Sequence, residues 1–181
     1  MKILRALTQR RAAAALTLAL LAVPGLPTVA NAVLPEPQRD NAGATDVVDI
    51  ATDAGNAIVL RPPAGWRISD RGNQAVLRDG DSVVLVRIFD RGDRDPQAVA
   101  QRLMRADRVR GISTALDGGT ISTADGALSG TTCVAVSENV TGSCAFLADD
   151  DVVVSVLALG SPDDPALPIA KLVEPITRDQ R

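Results

Sequence analysis

The chain has 181 residues, 46% hydrophobic and 23% charged, which fits about one globular domain and excludes a collagen-like, low-complexity or wholly disordered chain. It contains no histidine and no tyrosine, and Trp66, Phe89 and Phe146 are its only aromatics. The missing histidine removes Ser–His and Cys–His nucleophile pairs and every histidine metal site.

Residues 1–32 read as an export signal. Lys2, Arg5, Arg10 and Arg11 make a positive leading region, Ala12 to Val23 a short apolar run, and Pro24, Gly25 and Pro27 break it. Ala30-Asn31-Ala32 supplies the small-x-small cleavage pattern, which places the cut before Val33. The apolar run falls short of the roughly 20 residues of a membrane-spanning helix, so no span is expected once the signal is removed. An uncleaved anchor is the alternative. No cysteine stands at the cleavage site to take a lipid. Arg10-Arg11 could mark twin-arginine export, but Ala12 to Ala15 replace the strong apolar residues that should follow the pair, so the general secretory route is the default. Without those four cations the formal net charge moves from −3 to −7. An acidic, secreted or cell-envelope domain is a poor nucleic-acid ligand.

Residues 33–56 read as a flexible linker rich in Pro, Gly and acidic groups, with Val47-Val48-Asp49-Ile50 as a segment that could dock weakly. A single domain is expected over residues 57–176, with 177–181 as a tail. Ala57 to Leu60 form a short strand, and Arg61-Pro62-Pro63-Ala64-Gly65-Trp66 an extended turn, since each proline turns its predecessor away from helix. Gln74 to Arg78 and Ser82 to Phe89 flank Asp79-Gly80, a hairpin signal, with Val84, Val86 and Ile88 toward the core. Pro96 to Arg110 make a helix. Asp95 is its N-cap, Pro96 its first residue and Gly111 its C-terminal cap. Val99, Leu103 and Ala106, beside Ala100 and Met104, form the inward stripe, and Arg102, Arg105 and Arg108 face water.

Strands follow over Gly119 to Ala124, Leu128 to Ser137, Ser143 to Ala148 and Val152 to Leu159. The last is apolar enough to be buried on both faces. A terminal helix starts after Pro165 or Pro168, carries Ile169, Leu172, Val173 and Ile176 on one side, and is limited by Pro175. The order predicts an α+β fold: an antiparallel sheet of about five to seven strands with two helices packed on it. Cys133 and Cys144, the only cysteines, lie in consecutive strands of an exported chain and read as a hairpin disulfide. A redox pair would want Cys-x-x-Cys spacing and adjacent positive charge, and neither is present.

The candidate sites divide. Asp90 to Asp95 alternates carboxylates like a calcium loop but lacks the closing Glu, which favours a polar loop with an N-cap. Asp149-Asp150-Asp151 reads as a solvated hairpin turn. Arg102, Arg105 and Arg108, with Arg110 near the cap, are either a solvated face with surface ion pairs or a dock for an anionic headgroup or acidic protein. Trp66 is either a core plug or an exposed docking anchor. No Ser-x-x-Lys dyad, Gly-x-Ser-x-Gly elbow, phosphate loop or dinucleotide fingerprint occurs, and no cofactor, metal or catalytic residue is assigned. A hydrolase built on paired carboxylates is the enzymatic alternative, weakened by the scarcity of aromatics for a sugar platform.

A short strand ending in Leu60, then Pro63, Gly65 and Trp66, then paired strands, a helix, a strand meander and a terminal helix resembles the PsbP-like α/β/α sandwich. It is similar to small exported actinobacterial proteins of that layout, including LpqN-type lipoproteins, but lacks their lipidated cysteine. It also lacks the tyrosines and lysines of the photosystem members. The resemblance covers residues 57–175. It implies a mostly non-enzymatic accessory domain that docks on an unidentified protein or anionic envelope component, and it carries over no catalytic residue.

Overall fold

In the computed structural model, residues 40–43 and 45–179 are described; the expected export signal and the first part of the expected linker lie outside them. The chain runs β1 (Asp40–Asn41), β2 (Val48–Ala51), β3 (Ala57–Leu60), β4 (Arg67–Arg71), β5 (Gln74–Asp79), β6 (Ser82–Asp90), α1 (Pro96–Val109), β7 (Ser113–Ser122), β8 (Ser129–Val136), β9 (Thr141–Ala148), β10 (Val152–Gly160), α2 (Ile169–Val173) and β11 (Thr177–Asp179). Every strand pairing is antiparallel. An eight-stranded sheet has the order β1-β4-β5-β6-β10-β9-β8-β7, and a three-stranded sheet the order β11-β3-β2. The class is α+β, as expected, with more strands than expected and in two sheets rather than one.

The physical centre is β10, all nine of whose residues are buried. A strand sends successive side chains to opposite faces, so such a run must be covered on both sides. Val152, Val154, Val156 and Ala158 enter one core, and Val153, Leu157 and Leu159 the other. Its neighbour β6 does the same, with Val84, Val86 and Ile88 in the first core, as its sequence implies. That core is closed by the small sheet, through Val48, Ile50, Ile58 and Leu60, and by Leu172 and Val173 of α2. The second core is closed by α1, through Val99, Ala100 and Leu103. At about 1.5–3 kcal/mol for each fully buried aliphatic side chain, these two layers supply the main drive to fold.

Several boundaries differ from expectation, among them the strand expected from Gly119, which begins at Ser113 as β7. Part of the supposed linker is structure: β2 pairs with β3 in register Val48 to Leu60, and Val48 and Ile50 are buried. The supposed tail is also structure, since Thr177–Asp179 pairs with the other edge of β3. Both strands are too short to show a period, and their partner β3 is what recruits them. The polar segment Arg67–Arg71 likewise becomes β4, zipped onto β5. The terminal helix is shorter than its apolar spacing suggests and stops at Val173; Pro175 has no N–H to extend it, and Ile176 reaches the core from beyond the helix.

The hairpin and disulfide signals hold. In the β5–β6 hairpin, Asp79 pairs with Ser82 and Gly80 turns with φ +53°, a conformation that favours glycine. The Cys133–Cys144 disulfide is present, joining residues directly opposed on β8 and β9, with Cα atoms 4.8 Å apart and both cysteines buried in the second core.

Candidate functional site

Helix α1 organises the surface of interest. Its start is fixed by Asp95, whose side chain accepts from the Gln97 N–H at 2.9 Å, and by Pro96 in the first turn. It ends in a Schellman arrangement: the Gly111 N–H donates to Arg108 O and the Ile112 N–H to Asp107 O, both at 3.0 Å, with Gly111 at φ +85°.

The inward stripe departs from the apolar pattern in one place. Asp107 is buried and Ala106 is exposed. Asp107 faces Arg87 of β6 in a bidentate pair, Nη1 to Oδ1 at 2.8 Å and Nη2 to Oδ2 at 2.7 Å. The same Nη2 reaches Ser155 Oγ of β10 at 3.2 Å. The three residues thus tie the helix to the two central strands. A carboxylate tolerates this position because a planar guanidinium satisfies both its oxygens. The only sequence hint was an arginine inside an otherwise apolar strand.

With Asp107 turned inward, the outer face of α1 is strongly basic. Arg102, Arg105, Arg108 and Arg110 are all exposed. Among the described residues the ion pairs involve only Arg110 of these four, 3.9 Å from Asp107. The other three arginines are not a surface ion-pair lattice. Trp66 does not join them. It is 6% exposed and packs in the first core, which corrects the expectation of an exposed docking anchor and leaves the core plug as its role. Its main chain is held by the segment after β1, the Ala42 N–H donating to Trp66 O at 2.7 Å.

A groove of about 490 Å³ runs along one side of α1. It is assembled from the β2–β3 turn (Thr52, Asp53), the β4–β5 turn (Gly72, Asn73), the end of β6 (Ile88, Phe89, Asp90), Arg94, and Val99, Arg102 and Leu103 of α1. The Asp90 carboxylate accepts from Thr52 Oγ1 at 2.6 Å and Asn56 Nδ2 at 2.8 Å. These hydrogen bonds, the Thr52 one foremost, favour the ionised form and hold its pKa below the usual aspartate value. Arg94 is braced against the main chain, Nε to Arg91 O at 2.9 Å and Nη2 to Asp90 O at 2.6 Å. Of all these residues the sequence reading singled out only Arg102 as a docking group. The rest come from three stretches of chain, residues 52–53, 72–73 and 88–103.

A smaller cleft of about 250 Å³ lies between α1 and the outer strands, lined by Pro96, Ala100, Met104, Leu116, Phe146 and Val153 among others. The Asp149-Asp150-Asp151 cluster is a hairpin tip. Asp149 Oδ1 accepts from the Asp151 and Val152 N–H groups, both at 2.8 Å, and its Oδ2 from Arg178 Nε of β11 at 2.7 Å. Asp150 lies 3.6 Å from Arg91. Among the described residues no group of three or more His, Cys, Asp or Glu is placed to hold a metal ion, and no helix is long and apolar enough to cross a membrane. The chain matches no family model and no curated protein.

Proposed function

We propose that this is an exported, envelope-associated, non-enzymatic accessory domain of PsbP-like type that docks through the outer face of α1 on an acidic protein or anionic envelope component. The carrying observation is the set Arg102, Arg105 and Arg108, exposed on one helix and free of ion pairs among the described residues, on a chain whose overall charge is negative. Like charges held together without counter-ions raise a local positive potential, which an anionic surface relieves. The buried Arg87–Asp107 pair supports the reading by holding α1 at a set rotation on the sheet, so that the basic face is presented rather than averaged.

The test is cosedimentation of the exported protein with phosphatidylglycerol and phosphatidylcholine vesicles, beside capture of envelope proteins from an extract. Each arginine near an anionic surface contributes about 1 kcal/mol, so Arg102→Glu/Arg105→Glu/Arg108→Glu should weaken binding by roughly a hundredfold or more. Unchanged capture by that variant in both assays discards α1 as the dock.

A further inference from the structure

We propose that the groove beside α1 binds a short peptide segment bearing a carboxylate, with the carboxylate on Arg94 and Arg102 and an apolar side chain on the floor formed by Phe89, Val99 and Leu103. The inference goes beyond the docking role, because it concerns a concave site that shares only Arg102 with the exposed helix face.

Three features carry it. First, the groove holds two guanidinium groups, neither of which makes an ion pair among the described residues, although Arg94 lies near enough to Asp90 to favour its ionised form. Arg94 commits Nε and one Nη2 donor to main-chain oxygens and keeps its Nη1 donors uncommitted, so it is oriented before any ligand arrives. The carboxylate at the centre of the groove, Asp90, is already engaged by Thr52 and Asn56. Asp53 lines the same groove and is exposed, and as an acceptor it suits a ligand's N–H donors. Second, Val99 and Leu103 are buried in the second core and Phe89 packs partly exposed against it, which gives an apolar floor on a rigid element. Third, the remaining wall is polar. Asn73 gives its Nδ2 to Ile88 O at 3.2 Å and keeps its side-chain oxygen as an acceptor. A plain hydrocarbon chain would desolvate Thr52, Asn73 and Asp90 without returning a hydrogen bond, whereas a peptide backbone supplies donors and acceptors at that wall.

The test uses the isotope-labelled full chain, titrated by amide NMR with acetyl-Ala-Leu-Ala carrying a free C-terminal carboxylate, with its C-terminal amide, and with octanoate. The acid peptide should shift the amides of Asn73, Phe89 and Leu103 and saturate in the millimolar range or below. The amide should bind about tenfold more weakly, because a charge-assisted hydrogen bond is lost. Arg102→Gln, at an exposed position whose side chain makes no hydrogen bond among the described residues, should weaken the acid peptide by a similar factor. Arg105→Glu/Arg108→Glu should leave the titration unchanged while it reduces vesicle or envelope capture, so the two proposals fail separately. The proposal is overturned by absence of shifts at the groove with millimolar peptide, by equal binding of acid and amide, by an unaffected Arg102→Gln variant, or by octanoate binding as tightly as the peptide.

Discussion

Replacing Asp107 by alanine should be the most damaging single change on α1. In the wild type the Arg87 and Asp107 side chains are 5% and 3% exposed, and two short charge-assisted bonds join them. Alanine would leave the Arg87 guanidinium in the helix–sheet interface with one neutral partner, Ser155, and with an Nε that already has none. Breaking a buried pair from one side costs about 3–5 kcal/mol, because the surviving charge stays desolvated. Against a total stability of about 5–15 kcal/mol that is a large share. Urea unfolding monitored by circular dichroism measures it, with Arg105→Ala as an exposed control expected to stay within about 0.5 kcal/mol. Removing both charges is the sharper comparison. Arg87→Met/Asp107→Leu eliminates the unpaired ion and should recover most of the loss, ending near or above wild-type stability. A cost below about 1 kcal/mol for Asp107→Ala would refute the reasoning. So would a double variant as unstable as the single one, since lost packing and not a stranded charge would then be responsible.

Opening the disulfide by Cys133→Ser/Cys144→Ser should lower stability by about 3 kcal/mol, the chain-entropy value for a loop of about 12 residues; a matched denaturation series that shows no difference would contradict this. Asp90 should titrate below the ordinary aspartate range in a carboxyl NMR experiment, and Thr52→Ala should move it up toward 3.8 by removing the largest of its favourable hydrogen bonds. A folded pKa depressed below the unfolded one stabilises the fold above the unfolded pKa. That contribution should therefore fade as pH falls through the folded value, on the acid side of 3.8. A Thr52→Ala variant whose acid-side loss is as large as wild type would show that the hydroxyl does not set the titration.

The features legible along the chain are local ones. The ends of α1 were legible because Asp95, Pro96 and Gly111 cap a helix through their own backbone chemistry, whatever surrounds them. The double-sided burial of β10 followed from an apolar run with no polar face, and the disulfide from two cysteines in consecutive strands. Tertiary structure alone decided the rest. Val48–Ala51, Arg67–Arg71 and Thr177–Asp179 are strands because a neighbour offers a hydrogen-bonding edge, and no period of their own announces it. Trp66 went inward because packed elements distant in the chain offer its indole a place in the first core. Asp107 went inward because Arg87, 20 positions earlier in the chain, waits on the sheet beneath it. The groove gathers residues 52–53, 72–73 and 88–103 in the same way. Capping and periodicity are properties of neighbours along the chain, whereas the pairing of charges and the walls of a groove depend on which distant groups the packed layers bring into contact.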